Sequence, residues 1–334
     1  MSTMPNDGVG VIHSRTADTI GGFIKLVIRP EAITVLLLVI AFFAGAHFVP
    51  NFLDAQYLLD STSLYMEIGL LALAMTPIII SGNIDLSVAG GTSLVAVCVA
   101  LLHEHGIGMP VCMAAGLSIG IALGLFNALA ITLLRLPSLT VTLGTMALYL
   151  GLAQILLGDR SLGNFPDWYA GIDYRHLGMV PYPLIIFLTL ALIVAVVLAK
   201  TSFGRQVYAI GVSSEAARYS GISIGRITIL LFTLSGLMMG AAGLMLASRL
   251  GMAQYNMATG FELAAITAVV LGGTDIFGGS GSIFGTVIAL FLLGLVRTEI
   301  DLEGWQSAVQ LTVAGGLLVV SVILTNITGK LKRG

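Results

Sequence analysis

In a chain of 334 residues, 57% hydrophobic and 10% charged with a mean hydropathy of +1.01, too little polar surface remains for a water-soluble protein, since such proteins carry roughly 25% charged residues. Lipid must be most of the solvent, and the fold class expected is all-α, a polytopic membrane protein. A formal net charge of −2 gives nucleic-acid binding no electrostatic basis. Cys98 and Cys112 form neither a CxxC pair nor a four-ligand zinc set and read as packing residues. The 41 glycines follow no G-X-Y period and suit helices packed through small residues.

A helix crossing a hydrocarbon layer about 30 Å thick needs roughly 20 mostly apolar residues, because unpaired backbone amides there are costly. Taken in chain order, the runs predict about ten spans, some short or glycine-interrupted. A polar leader, residues 1–30, precedes the first, Glu31 to Val49; it lacks the cleavage site of a signal peptide. The second covers Leu64 to Ser81, the third Val88 to Leu102, the fourth Val111 to Leu134 and the fifth Ser138 to Leu157. Gly158 to Pro181, with Asp159, Arg160, Asn164, Asp167, Trp168, Asp173 and Arg175, reads as an aqueous loop with an interfacial Trp. Tyr182 to Ala199 is the sixth span and Ile227 to Ala247 the seventh. Phe261 to Leu271, Ile283 to Val296 and Trp305 to Ile327 complete a transmembrane unit of residues 31–327, followed by a basic tail, 328–334.

Orientation follows from Lys and Arg, which accumulate on the cytoplasmic side. With both termini inside, the inner segments hold Arg15, Lys25, Arg29, Arg135, Lys200, Arg205, Arg218, Arg226, Lys330, Lys332 and Arg333. The outer segments hold only Arg160, Arg175, Arg249 and Arg297.

Acids at span ends draw attention because an ionised group near the bilayer centre needs water or a partner. Glu67 lies near the outer end of span two, Asp85 between spans two and three, and Glu262 and Asp275 at either end of span eight. Asp85, before Leu86-Ser87-Val88, fits a helix N-cap. A second reading is open, because Gly82-Asn83-Ile84-Asp85-Leu86-Ser87 joins two apolar runs too tightly for an exposed loop, and broken helices present backbone groups inside many transporters. Gly272-Gly273-Thr274-Asp275, running to Gly281, has a similar form. The candidates for a translocation path or gate are therefore Asn83, Asp85, Ser87, Asn127, Thr142, Gly272, Gly273, Thr274 and Asp275. Thr140, Thr142 and Thr145 either bond back to their own helix or, as a group with Asn127, line a polar route.

Between spans six and seven, Val212 to Ile222 reads as a short self-capped helix. Ser213 or Ser214 caps its start, Glu215 complements its positive end, Arg218 its negative end, and Gly221 takes the left-handed conformation that stops it. A helix of about two turns is unstable alone, so it needs a surface to dock against, and Ala216 and Ala217 permit close approach. Its candidate contact residues for a cytoplasmic partner are Gly211, Glu215, Ala216, Ala217, Arg218 and Gly221. The plain reading is an amphipathic connector.

Gly-x-x-x-Glu-Ala-Ala-Arg-x-Ser-Gly-Ile at Gly211 to Ile222 is joined by Ser-Gly-x-Ile-Asp-Leu-Ser at Ser81 to Ser87. A third motif is Ala268-Val269-Val270-Leu271-Gly272-Gly273-Thr274 with Gly278-Gly279-Ser280-Gly281-Ser282. In that combination the chain, from about Ile33 to Val322, resembles the permease subunits of bacterial ABC importers for ribose and related sugars. Asn51-Phe52-Leu53-Asp54 and Ser61-Thr62-Ser63 look like the branch serving rhamnose and autoinducer-2. Asn83 departs from the glycine usual at its place.

The resemblance implies a multi-pass protein of the bacterial inner membrane that forms half of a translocation path. A second permease chain, identical or a distinct homologue, supplies the other half. Separate ATPase subunits use ATP and Mg, and a periplasmic solute-binding protein delivers a sugar-like small molecule. Glu215 to Ile222 would then be the coupling helix entering an ATPase cleft. The chain has no GxxxxGK[ST] phosphate cradle, so no catalytic residue, cofactor or metal is expected in it. The rival is an ion-coupled secondary transporter using Glu67, Asp85 or Glu262, though acids at span ends suit that mechanism less well than mid-span ones. An intramembrane enzyme is disfavoured, because His103-Glu104-His105 is not HExxH.

Overall fold

The computed structural model describes residues 30–48 and 52–302, with 312, 315 and 316 beyond them. The leader through Arg29, the basic tail and, apart from those three positions, the expected tenth span lie outside these residues. Helix α1 is Pro30–Phe48 and α2 is Ala55–Thr62, leading through a 3-10 turn at Ser63–Tyr65 into α3, Met66–Ile80. Then come α4 (Val88–Glu104), α5 (Met109–Leu133), α6 (Ser138–Leu157) and the one-turn α7 (Asp167–Ala170). A two-residue antiparallel pair, β1 (His176–Leu177) and β2 (Val180–Pro181), precedes α8 (Tyr182–Lys200). The remainder is α9 (Ser202–Val212), α10 (Ser214–Tyr219), α11 (Ile224–Leu250), α12 (Phe261–Leu271) and α13 (Ile283–Leu302).

Among the described residues, five helical stretches are long and apolar enough to cross a membrane, and shorter apolar helices stand beside them. The chain is an all-α polytopic membrane protein. Its second crossing is longer than the expected Leu64 to Ser81: α2 and α3 make one stretch, Ala55–Ile80. It begins at Asp54, whose carboxylate accepts the amides of Gln56 at 2.9 Å and Tyr57 at 3.2 Å. Polar Gln56, Asp60, Ser61 and Thr62 hide this extension from a hydropathy reading. Helix α13 also continues past the expected Val296 to Leu302, through Arg297 and Glu299.

Every residue of α3 is buried. It is the central post, touched by α8, α9, α11, α12 and α13. The tightest pair is α5 against α11, where Gly120 and Gly124 face Gly236 and Gly240 so closely that a Cβ on Gly120 or Gly124 would overlap backbone atoms of α11. Spaced by four, these glycines line one helix face and bring the two backbones together.

The segment 158–181 is exposed at Asp159, Arg160, Asn164, Asp167 and Arg175, as expected from its charges, but it is also pinned to the bundle. Tyr169 is 1% exposed and its hydroxyl donates to the Leu244 carbonyl at 2.7 Å, while Ser248 Oγ donates to the Tyr169 carbonyl. Leu162 pairs its backbone with Ala253, and Asp173 is buried. Its aromatic residues, interspersed among the charges, supply the buried face. Trp168 is 43% exposed.

Candidate coupling and translocation site

Local chemistry shapes α10. Ser213 is extended, and its Oγ accepts the Ala216 amide at 3.2 Å, so Ser213 and not Ser214 is the cap. At the other end Gly221, at φ +80°, donates to the Arg218 carbonyl while Ile222 donates to that of Ala217, both at 3.0 Å. This is a Schellman stop, which glycine completes without the strain a side chain would add. Glu215 stands in the first turn and Arg218 in the last. Ala216 is exposed but Ala217 is buried against its own chain, so only the first of the two alanines is open to a partner. The preceding half of the connector, from Lys200, is also helical: Thr201 Oγ1 accepts the Gly204 amide and starts α9.

Gly211, near the end of α9, meets the end of α3 and the 272–281 segment together. A Cβ there would overlap both the Ile80 carbonyl and the Gly279 amide. Those two groups bond to each other, Gly279 N–H to Ile80 O at 2.8 Å, and the Tyr208 hydroxyl donates to the Gly281 carbonyl at 2.8 Å. The three motifs singled out in the sequence therefore converge on one joint.

The likeness between the 82 and 272 stretches has a physical basis in two matched helix stops. Gly82 and Asn83 donate to Ile79 and Ile78, while Gly273 and Thr274 donate to Val270 and Val269. Each stop precedes an aspartate that accepts the amide two residues on, Asp85 from Ser87 at 3.0 Å and Asp275 from Phe277 at 2.9 Å. Gly272 closes α12 through its bond to Ala268, and Thr274 is fully buried. Asn83 folds its amide onto Ser81 Oγ at 3.1 Å and is only partly buried.

Asp85 begins a buried chain of polar contacts. Its Oδ1 accepts the Ser87 amide and, at 2.6 Å, the Ser87 hydroxyl, while Oδ2 accepts Ser235 Oγ at 2.7 Å. Ser87 Oγ accepts from Asn127 Nδ2 at 2.7 Å, and the Tyr149 hydroxyl stands 3.3 Å from Asn127 Oδ1 while bonding the Leu123 carbonyl at 2.9 Å. Asp85, Ser87, Asn127 and Ser235 are all 0% exposed. The network ties the turn after α3 to α5, α6 and α11. Asp85 is therefore not the N-cap of α4, a place held by Ser87; it closes the turn before the helix and reaches across to α11. Thr142 bonds outward, to the Ile84 carbonyl at 3.2 Å, whereas Thr145 turns back to its own helix at Thr142 O. Thr140 is exposed.

At the far end of α3 and α11, Arg249 Nε donates to Glu67 Oε1 at 2.7 Å, with the Glu67 side chain fully buried. Asp173 lies in the segment above; burial and the nearby Glu67 carboxylate raise its pKa to about 7, against the opposing pull of Arg249. Sequence reasoning missed this pair. Its partners are 182 positions apart, and Arg249 carries no local sign that it turns inward. Ser235 and Tyr149 were missed as well; a lone serine beside Gly236 in an apolar helix was the available signal. Among the described residues no group of His, Cys, Asp and Glu is placed to hold a metal, and Cys98 and Cys112 are free thiols.

A family profile described as "Branched-chain amino acid transport system / permease component" matches residues 57–322. The chain is 38% identical over 295 residues to the autoinducer 2 import system permease protein LsrD of Escherichia coli K12, covering 86% of this chain and 89% of that one. The protein of the same description from Photorhabdus laumondii is 37% identical over 282 residues, covering 82% and 84%. No solved structure matches.

Proposed function

This chain belongs to the branched-chain amino acid transport system permease family, and from that premise we propose that it is the permease subunit of an ATP-driven importer for a sugar-like ligand of the autoinducer-2 type. It forms half of the path through the bacterial inner membrane, crosses it about ten times and keeps both termini in the cytoplasm. A second permease chain, separate ATPase subunits and a periplasmic binding protein complete the assembly, with ATP and Mg used by the ATPase. The ligand class rests on the likeness to LsrD; rhamnose and ribose are the related cargoes to compare.

One observation carries the mechanism: α10 is a self-capped lever joined at Gly211, backbone to backbone, to the end of the central post. Force on α10 has two routes into the bundle. It passes through Gly211 to α3 and the 272–281 segment, and through the short turn at Gly221 directly into α11. The network of Asp85, Ser87, Asn127 and Ser235 moves with both, since it links the turn after α3 to α11. These residues, with Asn83, Thr142, Gly272, Gly273, Thr274 and Asp275, line or flank the route when the buried joint opens. A route that must release its cargo binds it weakly, which suits a joint made of backbone and small polar groups.

The test is ATP hydrolysis by the reconstituted complex. Glu215→Ala or Gly221→Val reduces substrate-stimulated hydrolysis to the unstimulated level while the permease remains folded and inserted; unchanged stimulation counts against the coupling role. Uptake driven by an imposed pH gradient in proteoliposomes lacking the ATPase would refute the ATP-driven reading and restore the ion-coupled one. A cysteine placed at Ser214 reacts with a membrane-impermeant maleimide only in inverted vesicles.

A further inference from the structure

The turn Asp275 to Ser280 is closed by its own hydrogen bonds and leaves an aromatic side chain exposed. Asp275 N–H donates to the Ser280 carbonyl at 3.0 Å, Gly278 N–H to the Asp275 carbonyl at 2.9 Å, and Phe277 N–H to Asp275 Oδ1 at 2.9 Å. The turn is anchored from outside by the Gly279 bond to Ile80 and the Tyr208 bond to Gly281. Yet Phe277, at its tip, is 83% exposed. A loop that merely connected α12 to α13 would need neither this bonding nor an aromatic residue in that place.

The turn packs on the end of α3, which is buried along its whole length, with Gly278 against Ile80 and Gly82 and Gly279 against Val212. Val212, 74% exposed, is its neighbour through Gly279, where an added Cβ would stand 3.1 Å from Val212 Cγ2. Val212 leads directly into Ser213, the cap of α10, and Tyr219 at the end of α10 is 85% exposed. Phe277 and Val212 are thus exposed apolar residues on segments that pack together where α10 begins, Tyr219 is a third at the other end of α10, and Arg205, Glu215 and Arg218 on α9 and α10 are exposed as well. Aromatic anchors surrounded by polar residues are the usual form of a protein-binding hot spot.

We propose that the Asp275 to Ser280 turn is a second contact for the ATPase subunit, with Phe277 seated in an apolar pocket beside the cleft that receives α10. This rests on the reading of α10 as the coupling helix. Two contacts on elements joined through Gly211 would let one ATPase movement act on α10 and on the α12–α13 turn together, where a single helix would act as a pivot.

The experiment uses the assembled complex in native membranes, with the photo-crosslinking residue p-benzoylphenylalanine placed at 277 or 219. The expected result is that both positions crosslink to the ATPase subunit. If 219 captures the ATPase while 277 captures only lipid, the second permease chain or nothing, the second contact is overturned and the coupling reading stands. If neither captures the ATPase, both readings fail. A second measurement is independent of crosslinking geometry. Phe277→Asp lowers the ATPase recovered with the purified permease about tenfold or more, while Phe277→Leu retains most of it. Since Phe277 is exposed, both variants should insert and elute as the parent does; recovery of ATPase unchanged in a well-folded Phe277→Asp protein overturns the proposal.

Discussion

The two ends of the α3–α11 pair are fastened in different ways. At the α10 end Gly211 and Gly279 meet Ile80 backbone against backbone, with no room for a side chain at Gly211, beside the Asp85–Ser235 contact that ties the turn after α3 to α11. At the opposite end the fastening is made by side chains, with Glu67 held by Arg249, Tyr169 bonded to Leu244 and Asp173 buried above them. A joint without side chains has no rotamers to change and transmits displacement directly. One built from ionisable and hydroxyl groups can be released and remade by exchanging partners. The first suits the end where, on the proposed reading, α10 would act as a lever.

The largest expected effect comes from unpairing the side-chain end. Arg249→Ala leaves the Glu67 carboxylate buried without its cation, and breaking such a pair from one side costs about 3–5 kcal/mol. Thermal unfolding of the detergent-solubilised protein should fall accordingly. The double variant Glu67→Gln with Arg249→Met should recover much of the loss, because no charge is then stranded. Equal loss in the double variant would show that packing, and not charge, governs this end.

Gly211→Ala tests the other end. The added methyl meets fixed backbone on both sides, and overpacking of this kind costs about 1–3 kcal/mol. Its effect on coupling should exceed its effect on stability: stimulated ATP hydrolysis falls while the 158–181 segment keeps its protection from proteolysis. Loss of that protection in Gly211→Ala would mean that the two ends do not behave as separate fastenings.

The backbone joint was partly legible in the sequence. Glycine is recognisable by itself, and the stops at Gly82, Gly221 and Gly273 follow from chain-local rules, so the three motif segments and the caps of α10 emerged from a linear reading. What that reading could not supply was their meeting, because contact between Ile80, Gly211 and Gly279 depends on how α3, α9 and α12 pack. The side-chain end was almost invisible. Glu67 was visible as a costly acid, but its partner Arg249 looked like any charge at a helix end, and Phe165 and Tyr169, which pin 158–181 to the bundle, were masked by the charges between them. Hydropathy also stopped short at Leu64, since it cannot distinguish a polar helical extension from a loop. In each case local chemistry was readable and partnership was not.

Asp173 offers a gentler way to loosen the side-chain end. Its carboxyl holds its proton to about pH 7 in the folded protein, whereas in the unfolded chain it ionises near 3.9. Between those values the folded state binds more protons than the unfolded one, so stability falls as pH rises through the window and levels off above it. Melting curves from pH 4.5 to 8 should show wild type losing stability relative to Asp173→Asn; parallel curves would remove Asp173 from the fastening.

The smallest effect belongs to a tie that looks comparable on paper. Arg160 and Glu104 also link the 158–181 segment to the bundle, but at 3.4 Å and with side chains 55% and 40% exposed. Such pairs are worth about 0–1 kcal/mol and weaken with salt. Arg160→Ala should therefore leave melting temperature, proteolytic protection and transport near wild-type values, and adding salt to the parent should do no more. The reason lies in which groups were desolvated. Removing Arg160 returns Glu104 to water at little cost, while removing Arg249 strands Glu67 where water does not reach. A large effect from Arg160→Ala would shift the fastening from the buried core of this end to its rim, and the contrast with the Gly211 joint would then be one of exposure and not of chemistry.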